Sequence, residues 1–513
     1  MPGLNHQQVC AWIGQAAPNG RLASDSRRIT RGDVFFAYPG EAGDGRSYIA
    51  QAIEQGAAAV LFEERDFAWD AAWAVPHLAV AELKLNAGPI AHLCQNMPDA
   101  AMFTVGVTGT NGKTSCAVWL GQAMSRLGEA AAVIGTLGVG MFKGRGEVDF
   151  DVTGYTTPDA VLLAAKLAEV RDAGATSLAI EVSSIGLEQG RTLGMHFDVA
   201  IFTNLTRDHL DYHGDMAHYE AAKARLFDWP GLKAAVLNLD DPAGQRLAAQ
   251  LHAKHGAALA LIGYTLNDET AQPAIDGVAI LRASHFRSKH AGTEFHLDSP
   301  YGHSTVKTQL VGHFNISNAL AVFGALMAKG TLFRNAVEAI EALTPAPGRM
   351  QQVGGQDAPM VVIDYAHTPD ALEKTLMALR QVADDRGGAL WCVFGCGGDR
   401  DPGKRAQMGS ISQLADHVLV TSDNPRSEEA SDIIRQIVAG MDPNHPNSAF
   451  LAIEDRAAAI LSAVRHAGKP DVILLAGKGH EPYQEIKGKK LPFSDADHAA
   501  LALAARVTMM RPN

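Results

Sequence analysis

Short apolar runs separated by helix-length stretches set the rhythm of this chain. The residues from Phe103 to Val107, Leu178 to Val182, Val199 to Phe202 and Ala234 to Leu237 are largely apolar, and each run precedes a segment long enough for a helix. Continuous rather than alternating hydrophobicity predicts strands buried on both faces, and their alternation with helices implies βαβ units and a parallel sheet. The same grammar resumes late in the chain, at Met360 to Ile363, Leu390 to Phe394, His417 to Val420 and Asp471 to Leu475. Ahead of Pro98, the runs Val34 to Ala37 and Ala57 to Phe62 alternate with Gly-rich turns, the pattern of a small mixed α/β unit. At Thr344 to Met350 the segment TPAPGRM, with two prolines and a glycine, stops the preceding helix. These breaks predict an α/β protein of three domains, over 1–99, 100–343 and 344–513.

Most of the strand runs end in a polar cluster, and in open α/β sheets ligands sit at the carboxyl ends of strands. After Val107 comes TGTNGKTS, Thr108 to Ser115, followed by a helical stripe at Ala117, Leu120, Met124 and Leu127. Glycines at 109 and 112 let backbone N–H groups approach an anion, the helix N-terminus adds its positive end, Lys113 can reach outer phosphates and Thr114 can ligate magnesium. The spacing departs from the strict GxxxxGK[ST] pattern, since Val107 stands five before Gly112 while glycines fall at 106 and 109. Strand, glycine turn and helix together point to a nucleoside triphosphate.

The next clusters hold candidate metal and catalytic groups. Glu181 puts a carboxylate at the end of an apolar strand, where a metal would compensate its burial. TNLTRDHLDYHG, Thr203 to Gly214, brings Asp208, His209, Asp211 and His213 into one loop. In HYEAAKARLF, Tyr219, Ala222, Leu226 and Phe227 share a helical face, and Lys223 lies on that face too. Two readings of Lys223 stand open. Desolvation yields a neutral amine able to take up carbon dioxide as a carbamate, or the stem packs while the ammonium snorkels out. Farther on, DYAHTPD (364–370), FGCGGDRD (394–401), SDNPRSEE (422–429) and AGKGHE (476–481) each follow a strand. Arg400 and Arg426 are forks suited to carboxylates, and Asp423 and Glu481 suit an ammonium, so together they describe a zwitterion site.

Composition narrows the partners. With 47% hydrophobic and 19% charged residues over 513 positions, the chain is globular, and at roughly 150 residues per domain about three domains are expected. Forty-four Lys and Arg against 56 Asp and Glu leave a net charge of −12, without a basic cluster, so a nucleic-acid partner is not expected. Five scattered cysteines (Cys10, Cys94, Cys116, Cys392, Cys396) fit reduced thiols in a cytoplasm. No run of about 18 apolar residues and no signal-peptide start are present, so no membrane insertion is expected.

With these motifs assembled, the sequence resembles the Mur ligases over nearly its whole length, and among them the diaminopimelate-adding branch. SDSR (24–27), GTNGKTS, TTPD (156–159), EVSS, TNLTRDHLDYHG, the Lys223 segment, GHFNISN (312–318), GRM (348–350), DYAHTPD, GCGGDRD, DNPR and AGKGHE carry the likeness. The resemblance implies a central P-loop ATPase domain between an N-terminal UDP-substrate domain and a C-terminal Rossmann-like domain that binds the incoming amino acid. It implies ATP and Mg2+, with Gly109, Thr110, Asn111, Gly112, Lys113, Thr114 and Ser115 holding the nucleotide together with Asn315, Arg349 and Asp364. Thr114, Glu181, His209 and a carbamylated Lys223 would serve the metal, and Lys113, Glu181, His209 and Lys223 the chemistry. Ser24 and Ser26 would meet the uridine end of UDP-N-acetylmuramoyl-L-alanyl-D-glutamate, and Thr156, Thr157, Ser183, Gln189 and Arg191 its muramoyl-peptide part. Arg400, Asp423, Asn424, Pro425, Arg426, Gly477 and Glu481 would bind meso-2,6-diaminopimelate. Ile185 stands where the family leads one to expect His, and Gly190 is a second departure. A monomeric, ATP-dependent, amide-forming ligase is the expected activity. A lysine-adding ligase and a folylpolyglutamate synthetase are the enzyme alternatives, and a nucleotide-dependent regulator is the non-enzyme one. DNPR argues against both enzyme alternatives, and the SDSR stretch against the folylpolyglutamate synthetase.

Overall fold

The computed structural model describes residues 5–41, 43–144, 148–267, 277–289, 292–355, 357–447 and 449–509. Two compact units emerge, one holding most of the chain up to Tyr264 with Gly324–Ala339, the other holding Ile280–Phe323 and the chain from Ile340 onward.

In the first unit, strands Leu22–Ala23, Val34–Ala37, Ala59–Glu63 and His77–Val80 form a four-stranded parallel sheet in sequence order. Its middle strands are buried on both faces, as their unbroken hydrophobicity demands. One face packs on helices His6–Ala16 and Leu83–Cys94, and Val161 and Ala164 of helix Ala160–Asp172 join that same core. Asn5 starts the first helix by a capping box with Gln8.

Seven neighbouring strands of the sheet that carries the glycine loop are, in order, Ala260–Thr265, Ala234–Asn238, Val199–Phe202, Phe103–Thr108, Ser177–Glu181, Ala131–Gly135 and Gly138–Phe142. Every pair is parallel except the last, a hairpin turned through Thr136 and Leu137, with Gly138 at φ +117°. The four apolar runs of the sequence are therefore strands inside this sheet, with ends that agree to within one residue. The loop strand Phe103–Thr108 lies in the middle, with Val107 opposite Glu181 and Thr108 opposite Phe202. That register alone delivers Glu181 and the Thr203 loop to the two sides of Gly109.

In the second unit, Val278–Lys289, Gly292–Ser299 and Gly302–Thr308 pair antiparallel. The last two alternate in burial and hold no continuous apolar run, which is why the buried-strand criterion passes over them. A six-stranded sheet of this unit has the order Gln351–Gly354, Met360–Asp364, Val472–Ala476, Leu390–Phe394, His417–Val420, Phe450–Ala452, parallel except for its first pair. Asp364, Phe394 and Val420 stand level with or beside Ala476, so the four polar clusters leave one edge of the sheet together. A small hairpin, Tyr483–Ile486 with Lys489–Pro492, follows the last of them.

A buried charge cluster ties residues 92–104 to 196–198 in the first unit. Asp99 accepts the backbone N–H of His196 at 2.7 Å and sits 3.1 Å from its Nδ1 and 3.4 Å from His92. His196 also lies 3.4 Å from Asp198. Bonds to Asp198 and Asp99 push the His196 imidazolium up to about 9. A raised folded-state value contributes stability that is fully present below the unfolded value near 6.5 and is lost as pH climbs through about 9. The urea midpoint of the wild-type chain is expected to decline over that window, and His196→Gln to flatten that part of the profile; an unchanged profile in the variant contradicts the assignment.

Candidate active site

The glycine loop is built against its neighbours before any ligand is considered. Gly109 adopts φ +144°, and a Cβ there would come 1.9 Å from Thr203 Oγ1. The loop is pinned to the Thr203 segment on both sides. Thr110 N–H donates to Asn204 O at 2.8 Å, Asn111 N–H donates to Asn204 Oδ1 at 2.9 Å, and Thr203 Oγ1 donates to Asn111 O at 2.6 Å. Gly112 caps helix Lys113–Arg126 in the left-handed conformation, which leaves the first helical N–H groups facing the loop. Lys113 folds back here, its Nζ donating to the Gly109 and Thr110 carbonyls at 2.8 Å each. Ser115 is buried on the same helix.

Lys223 meets the same carbonyl from the other side. Its Nζ donates to Gly109 O at 2.8 Å and lies 4.3 Å above the Tyr219 ring, and the residue is 2% exposed. The ammonium does not snorkel. Burial, reinforced by the neighbouring Lys113 charge, lowers its pKa well below the ordinary lysine value. His209, in a left-handed conformation, lies 3.6 Å from Asp208 and edge-on to Tyr219 at 6.3 Å. Burial lowers its imidazole too, and the Lys113 and Lys223 charges add to the effect.

Glu181 is 1% exposed and takes hydrogen bonds from Thr114 Oγ1 at 3.0 Å, Thr136 N–H at 2.9 Å and Thr136 Oγ1 at 3.2 Å. Among the described residues no cationic side chain lies within ion-pair distance of it. A buried carboxylate supplied with hydroxyl donors and lacking a countercharge fits a divalent cation beside Thr114. Thr114 and Glu181 are thus brought together, while among the described residues no cluster of three or more His, Cys, Asp or Glu side chains forms a ready-made metal cage.

The expected muramoyl-peptide residues form one chain of contacts. Thr136 Oγ1 meets Thr156 Oγ1 at 3.1 Å, and Thr157 Oγ1 bridges Glu181 O and Ser183 Oγ at 2.8 and 3.1 Å. Arg191 donates to Thr157 O and to Gln189 Oε1 at 2.8 Å each, and its guanidinium lies 5.5 Å from the Tyr155 ring centroid. Ser24 Oγ donates to Asp159 Oδ1 at 2.6 Å, which joins the SDSR stretch to TTPD, while Ser26 is buried at the start of a 3-10 turn. Ile185 is a half-buried member of the helix Ser184–Glu188, and Gly190 takes φ +67° just before the Arg191 fork.

In the second unit, Asp364 accepts the Met350 N–H at 2.8 Å, and burial raises its pKa. Arg349 lies over the Tyr365 ring at 4.4 Å, and Asn315 donates to Val311 O at 2.8 Å. The residues expected to bind a zwitterion lie close to one another, several of their groups taken up by protein partners. Arg426, at φ +53°, donates through Nη1 to Gly398 O at 2.7 Å and sits 3.3 Å from Glu485 through Nε. Glu481 is taken by Lys478 Nζ at 3.0 Å and Asn424 Nδ2 at 2.8 Å. Asp423 is 8% exposed and, among the described residues, its carboxylate accepts no hydrogen bond. Gly477, at φ +111°, makes room for it, because a Cβ there would lie 2.4 Å from Asp423 Oδ2. Pro425 fixes the turn, and Arg400 is exposed above it.

Sequence reasoning missed Asn204, Thr136, Tyr219 and Lys478 as site builders. Asn204 was the most accessible of these, standing two residues beyond a strand that flanks the loop strand. The cysteines are all free thiols, and burial pushes Cys396 up to about 12. No helix among the described residues is long and apolar enough to cross a membrane.

Comparison with known proteins follows this geometry closely. The family models "Mur ligase family, catalytic domain", "Mur ligase middle domain" and "Mur ligase, glutamate ligase domain" match residues 21–89, 107–326 and 348–479. A protein of Janthinobacterium sp. (strain Marseille) described as UDP-N-acetylmuramoyl-L-alanyl-D-glutamate--2,6-diaminopimelate ligase is 64% identical over 499 residues, 97% of each chain. One of Ralstonia nicotianae with the same description is 52% identical, over 97% of this chain and 96% of its own. A solved structure of a ligase so described superposes with a TM-score of 0.65 at 34% identity, covering 95% of both chains.

Gly109→Ala tests the loop geometry. Strain at a positive φ, about 1–3 kcal/mol, together with the Thr203 clash is expected to lower the melting temperature and weaken ATP binding by at least about tenfold. Calorimetric titration with ATP that finds wild-type affinity refutes it.

Proposed function

This chain belongs to the Mur ligase family, and from that premise we propose that it is the ATP-dependent ligase that joins meso-2,6-diaminopimelate to UDP-N-acetylmuramoyl-L-alanyl-D-glutamate. The observation that carries this reading is the likeness, along nearly the whole chain, to ligases of that description. Amide formation is driven by ATP in two steps. A carboxylate of the muramoyl dipeptide, the γ-carboxylate of its D-Glu, attacks the γ-phosphorus, releasing ADP and leaving an acyl phosphate. The amine of the acceptor then attacks the acyl carbon, and the tetrahedral intermediate expels phosphate and a proton.

The first step brings two anions together, so positive charge and N–H donors around the transferring phosphoryl group are the main requirement. The Gly109–Ser115 loop supplies the N–H groups. Lys113 supplies a charge by exchanging its two loop carbonyls for phosphate oxygens. Magnesium, when bound, adds positive charge at the phosphate oxygens; Thr114 and Glu181 would hold it, with His209 and a carbamylated Lys223 as further support. By the family likeness, Asn315, Arg349 and Asp364 would also serve the nucleotide. Ser24, Ser26, Thr156, Thr157, Ser183, Gln189 and Arg191 hold the uridine dipeptide, and the Ser24 to Asp159 bond couples its two ends.

Acceptor choice follows from charge count. Meso-diaminopimelate carries a second carboxylate that lysine lacks, and Arg426 keeps N–H donors beyond those used by Gly398 and Glu485 to receive it. Lysine leaves those remaining donors without a carboxylate, which costs binding energy. The proposed setting is a monomer in the cytoplasm, and the free cysteines fit a reducing compartment.

The test is phosphate release measured with ATP and the uridine dipeptide, offering meso-diaminopimelate or lysine. Release is expected to require the dipeptide and meso-diaminopimelate together; turnover with lysine at equal efficiency, or hydrolysis indifferent to both, overturns the reading. Arg426→Ala is expected to lower kcat/KM for meso-diaminopimelate by about a hundredfold, the order expected for truncating one member of a charged pair, and to leave the weak lysine rate nearly unmoved. Lys223→Ala is expected to cut kcat by about a hundredfold or more, with partial recovery on adding short carboxylic acids. Wild-type turnover in that variant rules out the carbamate.

A further inference from the structure

Beneath the acceptor pocket lies an ion pair with both side chains fully buried, between Arg456 and Asp495. Arg456 opens helix Arg456–His466 and Asp495 opens helix Asp495–Met509, so neither belongs to the strand-end loops that form the pocket. The pairing is bidentate, Nε to Oδ1 at 2.8 Å and Nη2 to Oδ2 at 2.7 Å. The guanidinium also donates to Ala476 O at 2.9 Å and reaches Ser422 O at 3.5 Å. Those carbonyls precede Gly477 and Asp423, the residues whose contact shapes the ammonium pocket. Gln484 Nε2 closes the frame on the far side, donating to Ser422 Oγ and Asp423 O at 2.7 Å each.

Asp423 has no hydrogen-bond donor of its own among the described residues, so its charge depends on what surrounds it. Burial raises its pKa, and the charges of Arg456 and, next, Lys478 oppose that rise. A buried ion pair gives little net stability against hydrophobic replacements of similar volume, so energetics of folding alone do not account for it.

We propose that Arg456, oriented by Asp495, is a positioning residue for the acceptor amino acid: it clamps the Ser422 and Ala476 strand ends at one spacing and supplies the countercharge that keeps Asp423 ready for the acceptor's ammonium. This rests on the ligase reading above, and it adds to that reading a determinant that does not itself touch substrate.

The decisive variant is the double replacement Arg456→Met with Asp495→Leu, which removes both charges of the pair together, so that neither is left buried without the other. Such swaps in buried pairs are often neutral or stabilising, so the chain is expected to fold with a melting temperature close to wild type. Its KM for meso-diaminopimelate is expected to rise at least tenfold, while KM for ATP and for the uridine dipeptide change less than twofold. Arg456→Lys, which keeps the charge but loses the fork, is expected to show the same split to a smaller degree, and it carries the test should the double variant fail to fold. An acceptor KM that stays at the wild-type value in either folded variant overturns the clamp. Wild-type chain without meso-diaminopimelate-dependent phosphate release overturns instead the ligase reading, and with it the ligand assigned to the clamp.

Discussion

Two amines converge on one carbonyl oxygen, that of Gly109, and much of the first unit can be understood from that meeting. Lys113 approaches it along the loop and Lys223 from a helix more than a hundred residues later. Two ammonium ions at such close quarters repel, and Lys223 is sealed from water, so the pair is tolerable only if one gives up its proton or an anion arrives between them. A phosphate or a carbamate resolves the conflict. The absence of a side chain at 109, the left-handed Gly112 and the sheet order that sets Thr203 against the loop are all conditions for that convergence.

The second unit solves a different problem by a similar layout. Four adjacent parallel strands discharge their loops at one edge, and the loops trade hydrogen bonds among themselves, Lys478 to Glu481, Asn424 to Glu481, Arg426 to Gly398. Farther from the pocket, Arg405 pairs with Glu428 through both nitrogens and also reaches Gly397 O. These loops therefore form a surface of fixed partial charges, on which Asp423 is buried without a hydrogen-bond donor to its carboxylate among the described residues.

Much of this was readable along the chain, for a physical reason. Strands buried on both faces are nearly pure apolar runs, so Phe103 to Val107 or Leu390 to Phe394 declared themselves within a residue or two. Lys223 declared itself by sitting on an apolar helical stripe. What stayed hidden depends on partners distant in sequence. Arg456 looks like an ordinary charged helix start until Asp495, 39 positions on, comes to lie against it. Likewise, the occupation of Glu481 by Lys478 and Asn424 is set by side-chain geometry that a motif does not encode. The antiparallel strands Gly292–Ser299 and Gly302–Thr308 escaped because one side of each is wetter, which breaks the run into alternation.

The order of strands in the C-terminal sheet also has a bearing on how the protein is made. Val472–Ala476 is inserted between Met360–Asp364 and Leu390–Phe394, although it leaves the ribosome some eighty residues after the later of these. Until it arrives, two apolar strands wait with unsatisfied inner edges, open to wrong pairing within the nascent chain or with a neighbour. Sheet closure of this kind is a late, non-local event that a folding helper would shelter.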